Sequence, residues 1–511
     1  MNRAGFSGMG RFIGTARGPR VASRAALRSN IVMHESAGHG RKVLIVGDGH
    51  AGVAAAVRLT DLGYRVSIVE SNIHVGQSAT GEATDASQHT LMRMCTNQTE
   101  LYRRLGLIRE VDWQKTLYFT GSDGLIDELT GDDLPAPFHL TRGLLAMKRF
   151  NWSQKWSIFS GFLAAMQVSR TAREQLSNEN FRQWLESIHQ PEHVINKFWS
   201  SIIAGACNQL PEQISAAYGV RILQEGFLLS NTSYQLGFSK ISRAEFYRRA
   251  GEEVANGGGE MLVGVSADRF EYDAQTKRVL GVHLSDGRTL EAEAYVTALP
   301  HARVEELVSA AMKADDSRLG KLADIEDVPI LGIHLYFNAP PGHDVMRRSH
   351  LIFTDGCVRW AFNKGKEQGG AYDGMHHVHV VIGNADDFDH LPDDQIVAAA
   401  VADMRKAMPG MIDAVTVSDF RVVREMRAAS SPRPGGRRYR PYPSGDIANF
   451  FIAGDWASTG WPTSREGAVR SGYRAAAALH EFLTHGDPVK KVNQFLVPDV
   501  QPSALYVAMS G

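Results

Sequence analysis

The sharpest alternation of apolar and polar positions spans residues 42–70. Residues 43–46 form an unbroken apolar run, as in a strand buried on both faces. Three glycines follow, then a helix-like segment, then a second apolar run that ends in Glu70. This predicts a β-α-β unit. Downstream, 97–107 reads as a helix. Residues 135–249 read as mostly helical, with apolar positions at three- and four-residue steps in 144–168 and 181–203. Strands are predicted at 261–270, 279–284 and 289–298, the last two joined as a hairpin by Ser285-Asp286-Gly287. More strands are expected at 330–337, 349–353, 358–362, 377–382 and 450–453. Residues 396–408 and 467–483 read as helices, and the Pro-, Gly- and Arg-rich 430–442 as a loop.

The glycines give the first unit its chemistry. Gly47 permits a tight turn, Gly49 lets backbone approach a pyrophosphate, and Gly52 lets helix and strand pack closely. Free N–H groups at the helix start then face phosphate charge. Glu70 is placed to accept hydrogen bonds from adenosine ribose hydroxyls. The expectation is a bound dinucleotide.

Composition narrows the rest. The 511 residues suffice for two domains or one large discontinuous fold. A formal charge of -1 gives no reason to expect a nucleic-acid partner. Three scattered cysteines (Cys95, Cys207, Cys357) make no C-x-x-C, so neither a disulfide framework nor a thiolate metal site is expected, and a reducing cytoplasm is. His193, His334, His376 and His377 lack metal-ligand spacing, and no metal is predicted. Residues 1–32 hold six arginines and no acid. They read as a disordered basic extension, or as sequence upstream of a true start at Met33.

A second strand-turn-helix lies near the C-terminus. An apolar strand delivers Ala453-Gly454-Asp455, and small residues Gly467, Ala468 and Gly472 open the helix that follows. A nicotinamide dinucleotide has no use for this element. A flavin dinucleotide does, because its ribityl chain and ring extend past the first motif.

G-D-G-H-A-G together with A-G-D-W…E-G-A-V-R-S-G resembles the FAD-dependent superfamily of amine oxidases and phytoene desaturases. The resemblance implies FAD as cofactor, Asp455 at its ribityl or pyrophosphate region, and Glu466, Gly467, Ala468 and Val469 at the flavin. It also implies adenine contacts through backbone near Val265. Finer segments resemble hydroxysqualene dehydroxylases: D-A-S-Q-H at 85–89, C-T-N at 95–97, F-W-S-S-I-I-A-G-A-C-N-Q-L-P-E-Q-I-S-A at 198–216, V-R-W-A-F-N-K-G at 358–365 and V-V-R-E-M-R-A-A at 422–429. The family's two glycines and basic residue after the ribose acid are here Val75-Gly76-Gln77.

The implied fold is α/β: a Rossmann-type, amine-oxidase-like FAD-binding domain with an interleaved α+β substrate domain. The FAD-binding parts fall at 41–134, 246–325 and 426–485. A helical substrate or membrane-facing part occupies 135–245 and a substrate sheet 326–425, with an N-terminal extension (1–40) and a C-terminal tail (486–511). The implied reaction is reduction of hydroxysqualene to squalene by hydride from FADH2, with phytoene-type desaturation and then amine oxidation as alternatives. Loss of hydroxide needs a proton donor. His89 is the candidate, with Asp85 as orienting or alternative acid; a bland role for His89 in hydrogen-bonding flavin or backbone weighs equally. Trp461 and Pro462 either wall the flavin face or pack in the core. Residues 144–166 interleave aromatic and basic side chains, which suits either a helix at a membrane surface or one packed on the substrate domain. A lipid isoprenoid substrate makes the peripheral membrane reading attractive. Arg433, Arg437, Arg438 and Arg440 could meet lipid head groups or simply be solvated.

Overall fold

The computed structural model describes residues 38, 40–72, 90–366, 374–383, 385–388, 390–485 and 493–510. His89 and Asp85 lie outside the described residues, as do Val75-Gly76-Gln77 and nearly all of 1–40.

The predicted β-α-β unit is present as β1 (Lys42–Val46), α1 (His50–Asp61) and β2 (Arg65–Glu70). These strands join β8 (Glu260–Val263), β12 (Ala294–Thr297) and β18 (Phe450–Ile452) in a five-stranded sheet, ordered β18-β12-β1-β2-β8. Every pairing in it is parallel. The carboxyl ends of five strands therefore open onto one crevice, the usual ligand position in such sheets. Helix α1 packs against the long C-terminal helix, Arg465–His485. Both are Ala-rich where they meet, and at Gly472 a Cβ would overlap the Ala51 carbonyl oxygen. The crossing exists because that side chain is missing.

A seven-stranded sheet forms the second layer: β17 (Thr416–Ser430), β13 (Asp327–Asn338), β16 (His376–Ile382), β15 (Val358–Lys366), β14 (His350–Phe353), β5 (Thr116–Thr120) and β6 (Asp127–Thr130), in that order. One face buries Ile333, Leu335, Val378 and Val380 under the helix Asp393–Ala407. Strands β5 and β6 correct the expected boundary at 134, since 116–130 belongs to this sheet rather than to the cofactor layer. Two three-stranded sheets complete the fold: β3 (Thr90–Met92), β7 (Leu236–Ser239) and β4 (Val111–Gln114), and β9 (Ala267–Asp273), β10 (Arg278–Leu284) and β11 (Thr289–Leu290). The 285–287 turn closes the β10–β11 hairpin, while β12 leaves it for the parallel sheet. The expected strand at 261–270 is two strands, broken where the chain turns at Gly264.

The expected helix at 144–168 is also two pieces, α2 (Thr141–Ala146) and α3 (Trp152–Gln167). Asn151 starts the second with a capping box to Gln154. Residues 493–510 are no free tail. Phe495 and Leu496 pack on the α1 layer, and Asp499 pairs with Arg221 and Arg470.

Candidate functional site

The first glycine loop is shaped by contact. Gly47 has φ +103, and a Cβ there would lie 2.9 Å from the Ala298 carbonyl oxygen. A Cβ on Gly52 would overlap the Gly47 carbonyl oxygen, so only glycine lets α1 start this close to β1. Gly49 faces open space. Next to it the N-terminus of the twelve-residue α1 has no side-chain cap, so its N–H groups are presented to an anion.

Glu70 ends β2 with its carboxylate organised on both oxygens. Oε2 accepts the Asp48 N–H (3.3 Å), and Oε1 accepts the Asn72 N–H and Nδ2 (2.8 Å each). Burial, and then Glu70 beside it, push the Asp48 carboxyl up to about 8. An acid of the glycine loop and the acid that ends β2 thus share a small buried volume. Val265 donates its N–H to the Glu70 carbonyl (3.0 Å) and Gly264 donates to that of Asn72 (3.1 Å). Of the two backbone groups of Val265, the N–H is already committed.

The second motif reaches the same crevice. Gly454 has φ +151 and donates its N–H to Ser471 Oγ (2.8 Å). Asp455 opens partly onto the cavity, and burial raises its carboxyl to about 6. Arg440 donates to the Asp455 carbonyl (3.2 Å) and to Thr463 Oγ1 (2.8 Å). Arg440 is buried, whereas Arg433 and Arg437 form ion pairs with Glu326 and Glu174. Those three arginines tie parts of the chain together rather than standing in solvent.

A cavity of about 640 Å³ joins these pieces. Gly47, Gly49, Glu70, Gly454, Asp455, Glu466 and Ala468 all border it. Gly52, Val265, Gly467 and Val469 do not. Gly52 acts through packing, and the Val469 side chain lies in the core with Val53 and Tyr473. Glu466 is fully buried and its carboxylate is occupied. It accepts the Asn97 N–H (3.2 Å) and Nδ2 (3.0 Å) and the Gln98 N–H (2.8 Å), with Arg470 at 3.2 Å. It therefore anchors the start of the helix Thr96–Arg104 beside the cavity.

The far side of the cavity is apolar: Leu117, Phe119, Ile202, Phe227, Ile352 and Trp360. Cys95 and Cys207 border it as well, with burial raising both thiols. Trp461 is buried, with the guanidinium groups of Arg221 and Arg470 4.7 and 5.6 Å from its ring centroid. Phe227 also borders a second, small apolar cavity beneath α2 and α3, lined by Phe138, Phe159 and Phe162. Above it Trp152 and Trp156 are 74% and 70% exposed.

Several site residues escaped the sequence reading. Arg243 and Tyr247, from the helix Arg243–Asn256, border the cavity at the Asp48–Glu70 end. His301 and Asp327 border it near Asp455. The position of His301, directly after the A-L-P that follows the cofactor strand β12, was the one available signal.

The comparisons agree with this geometry. Residues 50–480 match the family model described as flavin containing amine oxidoreductase. The chain is 24% identical to 15-cis-phytoene desaturase of Synechococcus elongatus over 459 residues, covering 86% of this chain and 95% of that protein. It is 23% identical to a probable zeta-carotene desaturase of the same organism, covering 86% and 98%. Among solved structures, cyclohexylamine oxidase of Brevibacterium oxydans IH-35A shares the fold, with a TM-score of 0.59, 19% identity and coverage of 87% and 99%. The glycine cradle, the uncapped helix start and the Glu70 and Asp455 carboxyls fit FAD, which is the cofactor of this site. The chain belongs to the flavin-containing amine oxidoreductase family.

Proposed function

We propose that the chain is a desaturase-type oxidoreductase whose substrate is a long isoprenoid hydrocarbon. The observation that carries this reading is the apolar half of the main cavity, with a second apolar space beside it. Phe227 borders both this cavity and a second apolar space, and that space lies under a helix pair bearing exposed Trp152, Trp156 and Leu145. A hydrocarbon chain gains roughly 0.8 kcal/mol per buried CH₂ in such surroundings. Bound FAD supplies a hydride acceptor when oxidised and a hydride donor when reduced. The apolar walls exclude water from the reacting carbons. The curated relatives named above are desaturases of phytoene and zeta-carotene, which supports the same substrate class.

Hydroxysqualene reduction is the second reading. The segment 198–216 that resembles hydroxysqualene dehydroxylases also supplies cavity wall, through Ser201, Ile202 and Ala204 to Asn208. Amine oxidation is less favoured. Trp360 and Phe362 stack on each other at 5.3 Å and leave no gap for a cation, and the faces of Trp461 meet arginines.

The exposed tryptophans, with Arg142, Lys148 and Lys155 nearby, suit docking on an anionic membrane surface, where such a substrate resides. No helix among the described residues is long and apolar enough to cross a membrane.

Anaerobic mixing separates the readings. Bleaching of the oxidised protein's flavin band by phytoene supports desaturation. Return of the band when reduced protein meets hydroxysqualene supports the second reading. No response to either lipid, with bleaching by an alkyl amine, refutes both.

A further inference from the structure

We propose that Phe227 is a specificity-determining residue: it closes the apolar arm of the main cavity and so limits how long a hydrocarbon chain can lie beside FAD. This deepens the isoprenoid reading and rests on it.

The case starts from the wall between two spaces. The main cavity has an apolar arm formed by Leu117, Phe119, Ile202, Phe227 and Ile352. On the other side lies the small apolar cavity beneath α2 and α3. Among the described residues that line either space, Phe227 alone borders both. At Phe119 the wall is two rings thick. Phe119 borders the main cavity, Phe198 borders the small one, and the two rings stack with centroids 6.2 Å apart. At Phe227 a single side chain touches both spaces. Its ring is buried, with Phe162 at 6.1 Å on the small-cavity side.

The local backbone fixes the ring there. The helix Ala216–Leu223 runs on into a π-helical turn, Gln224–Leu228. Such a turn holds an extra residue, which re-aims the side chains that follow, and it recurs at functional sites. The turn is tied to its neighbours. Gln224 Nε2 donates to the carbonyls of Ala165 (2.8 Å) and Val168 (2.7 Å), and the Gly226 carbonyl accepts from Ser233 Oγ (3.0 Å). A chain that fills the apolar arm therefore meets a ring with little freedom to give way, and overpacking it is unfavourable. The small cavity measures about 30 Å³, room for a couple of water-sized groups and not for a prenyl unit. Thr141 is the one polar side chain that lines it. Without the Phe227 ring, the arm, the ring's own volume and this apolar space become one longer pocket. Phe138, Phe159 and Phe162 on its far side are half-buried, so that pocket would run out towards the surface.

The test uses full-length, FAD-loaded protein with Phe227→Ala, Phe227→Leu and Phe159→Ala. Binding of primary n-alkyl alcohols from octanol to octadecanol, followed by titration calorimetry, needs no turnover. In the wild type the association constant should rise about fourfold per added CH₂ and then level off. F227A should level off several carbons later, and F227L between the two. F159A widens the small cavity but leaves the wall intact, so it should level off with the wild type. With the lipid that the protein accepts as reference, F227A should raise kcat/KM for a homologue longer by one prenyl unit by about tenfold or more. The proposal is overturned if F227A and F227L level off with the wild type, if F159A shifts as F227A does, or if affinity in the wild type does not rise with length. Loss of flavin from F227L overturns it as well and makes Phe227 a support of the flavin site. If the wild type turns over neither phytoene nor hydroxysqualene, the isoprenoid reading fails, and the alcohol series alone decides for Phe227.

Discussion

Replacing Glu466 by glutamine tests whether this carboxylate is a structural anchor of the site. The wild-type side chain is fully buried and accepts three N–H groups from Asn97 and Gln98, at 2.8 to 3.2 Å. It also pairs with Arg470 at 3.2 Å. Glutamine keeps the shape but offers one acceptor oxygen. Whichever way the amide turns, its NH₂ meets at least one of these N–H groups. That strands a buried donor, at about 1–3 kcal/mol. The charge opposite Arg470 is lost too, although Asp499 at 2.6 Å keeps part of the compensation. Favourable charge at the start of the helix Thr96–Arg104 is worth roughly another 0.5 kcal/mol. The sum is about 3 kcal/mol of destabilisation, in the range for breaking a buried pair from one side. Urea unfolding of the FAD-loaded protein at pH 7 measures it, alongside flavin content. Asn97→Ala combined with E466Q should cost less than the two single changes added together, because they share the same bonds. If E466Q unfolds within 0.5 kcal/mol of wild type, the carboxylate does not anchor that helix and the reasoning fails.

Other consequences follow from the same geometry. Asp48 has its carboxyl raised from 3.8 to about 8, so its contribution to stability is complete below pH 4 and is lost as pH rises through 8. Asp48→Asn should therefore gain stability over wild type by a margin that grows from nothing near pH 4 to about 2–5 kcal/mol above pH 8; a margin in thermal melts that is the same at both ends of the range contradicts this. Gly472→Ala should force α1 and the C-terminal helix apart and lose most bound FAD, read as flavin absorbance per protein, while Gly410→Ala, at positive φ but with open space around it, should keep its flavin. Trp152→Ser with Trp156→Ser should weaken sedimentation with anionic vesicles about tenfold or more without changing the flavin spectrum; undiminished vesicle binding would remove the membrane role of this helix pair.

The cofactor layer was legible because its constraints are local. Gly47, Gly49, Gly52 and Glu70 act within one β-α-β unit, and the spacing alone states what the backbone must do. The substrate layer was less so. The run 416–430 carries mixed charges and small residues, and it reads as neither a buried nor an alternating strand, yet it forms the longest strand because β13 accepts it along one edge. Strands β5 and β6 pair with each other, and β5 pairs with β14, more than two hundred residues away; no local pattern announces such a partner. Val469 was assigned to the flavin by motif position, but helical geometry turns its side chain to the core while Ala468 stays at the cavity. The helix at 144–168 split because Asn151, a strong cap, sits inside an otherwise continuous apolar pattern.

On the proposed isoprenoid reading, the charged groups near the cavity also bear on how one cofactor fold can favour a hydrocarbon over an amine. Arg221 and Arg470 lie against Trp461 and are bridged by Asp499 from the C-terminal segment. Burial lowers Arg221 only to about 10, so it stays cationic at neutral pH. The Arg221 guanidinium, 4.7 Å from the Trp461 ring centroid, already occupies the aromatic surface that an alkylammonium would need. A hydrocarbon needs no such face and finds Phe119, Phe227 and Trp360 farther along the same wall. On that proposed reading, selectivity against amines thus lies partly in the ring surface that Arg221 covers, and it depends on residues 493–510 remaining docked, since Asp499 pairs with both guanidinium groups.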